Sequence, residues 1–167
     1  MTQAEQPSRT IAPGTPLQKV IPPRLVEPYL SGQRSVIAGF VYLAQDSAFS
    51  DPASYYDALA LGYEGSEFTP DMPEIYILRW RAVGTETYRV PLSPARGGDW
   101  AMKPPFTGNG FTADQEHAVA EYYTEPVPVP VGAEIHRVTA NGADFIARYD
   151  GQVWLRPAEG SELCVTG

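Results

Sequence analysis

The sequence predicts an α+β fold, with mostly antiparallel strands in two packed or curled sheets and one or two short helices. Three observations carry this expectation. Several segments rich in β-branched and aromatic residues alternate apolar and polar positions with the period of a strand. Seventeen prolines and fifteen glycines, spread along 167 residues, divide the chain into short elements joined by turns. The dipeptides Asn141-Gly142 and Asp150-Gly151 supply the positive φ that two-residue hairpin turns require. A chain of this length is expected to bury one core without staples, so one domain is anticipated.

Residues 1–19 mix Pro7, Pro13, Gly14 and Pro16 with polar residues and show no apolar period. They are expected to form a flexible N-terminal arm, leaving 20–167 as the single globular domain. Residues 34–44 (RSVIAGFVYLA) read as a strand in which Gly39 permits a bulge or a close backbone approach. Ser50 or Asp51 then caps a helix with Pro52 in its first turn, Tyr55, Ala58 and Leu59 at helical spacing, and an end near Gly62. Residues 74–82 and 86–92 are expected to pair as a hairpin through the turn Val83-Gly84-Thr85. Residues 95–110 form a loop longer than a connection needs, and it carries Trp100 and Phe106. The segments EIHRVT, DFIARYD and QVWLRP close the chain as a meander.

Composition excludes several classes of partner. Twelve basic against twenty acidic residues leave a net charge of −8, which repels phosphate backbones and anionic lipid heads. Neither nucleic acid nor membrane is expected as a partner. The single cysteine, Cys164, forms no internal disulfide, and the first ten residues lack the pattern of a signal peptide. A cytoplasmic location, or export without a recognisable signal peptide, is the expectation. Phosphate-binding loops, dinucleotide fingerprints, HExxH and paired cysteines are missing from the sequence. With only His117 and His136, far apart in sequence, no metal site is anticipated.

The most informative stretch is residues 110–138, where Glu121 stands among aromatic residues and a proline run follows. Read by itself, Glu121 is a candidate catalytic carboxylate. It also reads as an exposed charge on a half-buried strand, or as part of a helix capped by Thr112 with Gln115 in the capping box. Ser47 and Ser50 read equally as cap residues, and Arg24 and Arg34 as surface charges.

Taken in chain order, four short marks are present. They are Ala38-Gly39-Phe40, Ser47-Ala48-Phe49-Ser50, Ile75-Tyr76-Ile77, and Ala120-Glu121-Tyr122 followed by prolines and Ile135-His136-Arg137-Val138. In this order the chain resembles the bacterial ADP-ribosyltransferase toxins of the pertussis and cholera kind, over about residues 24–140. The resemblance implies an ADP-ribosyltransferase-like fold and NAD as substrate. It implies that the serine segment shapes a nicotinamide pocket and that Glu121 is catalytic. Breaking the nicotinamide glycosidic bond builds oxocarbenium-like charge on the ribose, which a fixed carboxylate stabilises. An arginine suits the pyrophosphate because its planar fork meets phosphate oxygens in pairs, and Arg24 and Arg34 are the candidates by position. Phe40, Tyr122 and Tyr123 offer faces for stacking.

Two functions follow as expectations. One is a toxin-like effector, delivered by a bacterial secretion system, that transfers ADP-ribose to a target protein or hydrolyses NAD. The other is a non-catalytic acidic binding protein, an immunity partner or a docking component of a larger bacterial assembly, whose charge suits a basic cognate protein.

Overall fold

The computed structural model describes residues 11–63, 65–84, 88–96, 111–112 and 119–157. Ten elements organise them. They are β1 (Pro16–Ile21), α1 (Val26–Leu30), β2 (Val36–Leu43), α2 (Pro52–Ala58), β3 (Glu74–Arg81), β4 (Tyr88–Arg89), β5 (Tyr122–Pro128), β6 (Glu134–Thr139), β7 (Gly142–Tyr149) and β8 (Trp154–Leu155). The eight strands form one antiparallel sheet, curled into a half-barrel, in the order β4-β5-β2-β1-β3-β6-β7-β8. The α+β class and the curled sheet agree with the sequence, and the strands belong to one sheet.

Alternation along the strands sends side chains to two faces, and both faces are apolar. On one, Leu17, Ile21, Val41, Leu78 and Trp80 pack with Val26 and Tyr29 of α1. On the other, Val20, Tyr42, Ile75 and Ile77 pack under Tyr55 of α2 and the segment that follows it, through Leu59, Leu61 and Phe68. The registers Leu17↔Trp80 and Val20↔Ile77 show the two faces along a single pair of strands.

Local signals place several elements where the sequence anticipates them. Asp51 caps α2, its carboxylate accepting from the Ser54 backbone N–H at 2.8 Å, with Pro52 behind it. The helix ends earlier than Gly62, at Ala58, because Ala60 turns to φ 52°. Gly39 has φ 94°, and the β2–β5 register shifts between Ile37 and Gly39, so the anticipated bulge is present. β6, β7 and β8 form the anticipated meander, with Gly142 and Gly151 at positive φ.

Two expectations are overturned. Residues 16–19 do not belong to an arm: they open β1, a central strand whose Leu17 is fully buried between β2 and β3. Leu17 and Ile21 stand on one face and Val20 on the other, on so short a strand that they show no clear period in the sequence. Nor do β3 and β4 form a hairpin. β3 lies between β1 and β6, and β4 crosses to pair with β5 at Tyr88↔Thr124 and Arg89↔Tyr123. Two long neighbours bury both edges of β3, which the two residues of β4 cannot match. Past those two pairs the outer edge of β5 has no strand partner among the described residues, and there Pro126 and Pro128 leave no ladder donor unused. The first ten residues, the loop with Trp100 and Phe106, Gln115, His117 and Cys164 lie outside the described residues.

Candidate functional site

β1 and β2 pair only at Leu17↔Leu43 and Gln18↔Tyr42. Beyond that point each keeps its other neighbour: β1 stays on β3 as far as Ile21↔Tyr76, and β2 stays on β5 as far as Val36↔Pro128. The sheet therefore opens into a wedge between its two halves. Lys19 is the first residue past the last pair, and its ammonium donates to the Phe40 carbonyl at 3.1 Å. A side chain replaces the ladder donor that the splayed backbone no longer offers. Gly39 makes room for it, since a Cβ there would stand 3.3 Å from Lys19 Nζ on a backbone that disfavours side chains.

A cavity of about 260 Å³ occupies the mouth of this wedge, roofed by the residues after α2. Its wall brings together Lys19, Arg34, Phe40, Tyr42, Tyr63 and Glu121. Glu121 is 4% exposed and sits immediately before β5, so the pairing of Tyr122 with Val41 carries it alongside Tyr42. A second anchor fixes the segment from the other side. Phe111 bridges Ala120, and the buried Thr112 hydroxyl donates to the Ala58 carbonyl at 2.8 Å while accepting from the Val119 backbone N–H at 2.9 Å. The end of α2 thus holds the strand that presents Glu121. Glu121 is neither an exposed charge nor helical, and Thr112 is a tether at this point.

The charges divide along the cavity. Burial brings the Lys19 ammonium down to about 8, and the Arg34 guanidinium adds to the effect. Burial likewise pushes the Tyr42 phenol up, with the Glu121 carboxylate and then Tyr63 contributing, so it stays protonated at neutral pH. Lys19 therefore feels Arg34, and Tyr42 feels Glu121. Arg34 is steadied by its Nε, which donates to the Tyr29 hydroxyl at 3.1 Å, and by the Tyr29 ring 5.5 Å beneath its guanidinium. Tyr29 in turn donates to the Val36 carbonyl at 2.8 Å.

The remaining sequence candidates lie elsewhere. Arg24 does not line the cavity; its fork grips Glu67, a wall residue, through Nε and through Nη2 at 2.8 Å. Ser47 is buried but turned into the backbone, donating to the Leu43 carbonyl while its own carbonyl accepts from Gln18. Ser50 is exposed beside the Asp51 cap. Tyr122 faces the opposite core from Glu121, as strand alternation requires, and Tyr123 meets Phe40 edge-on with centroids 5.7 Å apart. His136 engages Glu134 at 2.9 Å on β6. Among the described residues no group of three His, Cys, Asp or Glu could hold a metal ion, and no helix is long and apolar enough to cross a membrane.

Sequence reasoning missed Lys19, Tyr42 and Tyr63. One signal for Lys19 was present: of twelve basic residues only Lys19 and Lys103 are lysines, and the rest are arginines. A chain that uses arginine nearly everywhere places one of its two lysines in its cavity. No family model, curated protein or solved structure matches the chain.

Proposed function

We propose that the protein uses NAD, transferring ADP-ribose to a protein acceptor or to water, with the reaction at the cavity of the sheet wedge. The observation that supports this reading is the convergence of Arg34 and Phe40, from one segment, with the sequence-distant Glu121 on one cavity in which the carboxylate is almost fully buried. In the reaction the bond from ribose C1′ to the nicotinamide nitrogen breaks, and the ring leaves with the electron pair. Glu121 stabilises the positive charge that develops on the ribose, at a site where low dielectric strengthens the interaction. Water or an acceptor nucleophile then adds to C1′ and gives up its proton. Phe40 offers an aromatic face to the ligand. Of the two candidate arginines, Arg34 meets the ligand, because Arg24 is committed to Glu67.

Nicotinamide release by the wild type and by Glu121→Gln tests the reading. The amide keeps the size of the side chain and removes its charge, so the fold and NAD affinity are retained while the rate falls by at least about a hundredfold. Circular dichroism of both proteins controls for folding. If the wild type releases no nicotinamide with or without candidate acceptor proteins, or if the variant is equally fast, the proposal fails and an acidic partner-binding role takes its place.

A further inference from the structure

Lys19 is one of only two lysines in the chain, and it lines the wedge cavity. Its hydrogen bond to the Phe40 carbonyl requires one N–H, which a neutral amine supplies as an ammonium does. Among the described residues no carboxylate lies within ion-pair distance of it, and Glu67, on the same wall, is held by Arg24. The charge that acts on Lys19 is a like one, the Arg34 guanidinium. Burial and that guanidinium both favour the neutral form, and at about 8 roughly a tenth of Lys19 is free amine at neutral pH, against about three parts in ten thousand for an ordinary lysine. A side chain that served only as a donor to Phe40 would bind more strongly as an ammonium. The guanidinium on the same wall works against that role and in favour of a nucleophile, since a desolvated amine beside a second cation is the activated form of lysine.

We propose that Lys19 is a nucleophile that forms an imine with a small oxo acid, whose carboxylate is held by Arg34. The amine nitrogen bonds to the carbonyl carbon, and the carbonyl oxygen leaves as water with the two amine hydrogens. No electrons are exchanged, so the step needs neither oxidant nor reductant. The residue types fit the two ends of such a molecule. Arg34 is oriented through its Nε by the Tyr29 hydroxyl, which leaves the Nη donors of its planar fork for two carboxylate oxygens. A cavity of about 260 Å³ suits a small molecule, and Leu25 and Phe40 give its carbon chain an apolar wall. The inference goes beyond the NAD reading and requires neither NAD nor Glu121.

Reductive trapping tests it. The full chain is incubated at neutral pH with pyruvate and cyanoborohydride, which reduces an imine to a stable amine, with Nα-acetyllysine in the same mixture as the unperturbed reference. Peptide mass mapping separates labelling at Lys19 from labelling at Lys103. Lys19 is expected to react at least about tenfold faster than the reference, because its larger fraction of free amine outweighs the lower nucleophilicity of a less basic nitrogen. That preference is expected to shrink with acetone, which has the carbonyl and no carboxylate. Arg34→Gln, checked for folding by circular dichroism, is expected to slow labelling of Lys19 by pyruvate about ten- to a hundredfold, the scale of losing one charged hydrogen bond. Labelling of wild-type Lys19 no faster than the reference overturns the proposal, and that readout needs no variant to fold. An equal preference for Lys19 with acetone, or a folded Arg34→Gln labelled as fast as the wild type, overturns the assignment to an oxo acid. Nicotinamide release without trapping sinks the imine alone, whereas trapping without release sinks the NAD reading alone.

Discussion

Lys19 holds its proton less tightly in the fold than in the unfolded chain, at about 8 against an ordinary 10.5. Between those values the unfolded chain binds more protons, so the contribution of Lys19 to stability rises with pH across this window and is flat below it. Tyr29 and Tyr42 act in the opposite sense. Burial raises both phenols, so from about pH 10 upward the unfolded chain loses protons that the fold retains, and stability falls. The two effects separate between pH 8 and 10. There the wild type is expected to gain stability relative to Lys19→Met as pH rises, a difference measurable by urea denaturation at each pH. A wild-type curve parallel to that of the variant would show that the lysine is not desolvated. The same desolvation sets the chemistry of the wedge, because the ammonium that replaces a missing backbone donor at Phe40 is also the cation exposed to the cavity.

Among the elements, β5 depends on a contact outside the sheet. Its pairing with β2 sets the register of Tyr122, but the direction in which Glu121 enters is set by the Thr112 hydroxyl between Ala58 and Val119. Thr112→Val keeps the shape and removes both hydrogen bonds, leaving the buried Val119 N–H and the half-buried Ala58 carbonyl without the hydroxyl. Destabilisation of about 1–3 kcal/mol is expected by denaturant titration. If Glu121 is the reacting carboxylate, nicotinamide release falls as well, since loosening its segment displaces it from the ribose. An unchanged rate with the expected loss of stability would separate the tether's structural role from any positioning of Glu121. α2 contributes through its own cap, as Asp51 fixes where the helix starts and hence where Ala58 presents its carbonyl.

At the scale of the whole molecule, the backbone ladder between the two halves of the sheet is, among the described residues, only the short β1–β2 pairing, and β1 is the strand that joins them. Leu17 is fully buried at that junction, so Leu17→Ala is expected to cost about 2–5 kcal/mol, and deletion of residues 1–19 is expected to abolish the cooperative melting transition. A deletion that melts like the full chain would show that β1 is dispensable. Removing β1 also removes Lys19 and one wall of the cavity, which ties the fold to the site. What the sequence by itself determined is local: the cap and first turn of α2, the bulge at Gly39, and the glycine turns of β6, β7 and β8. Each of these depends on residues a few positions apart, so neighbouring residues suffice to specify it. Glu121 could be singled out as a carboxylate among aromatics, but its burial and its neighbours could not be read. The tertiary structure alone decided that β3 takes β1 and β6 as partners, that Pro16–Ile21 is central, and that Lys19 and Arg34 share a wall. A strand's alternation states which face is apolar and leaves its partner open, so the partner is chosen by which distant segments bury most surface together.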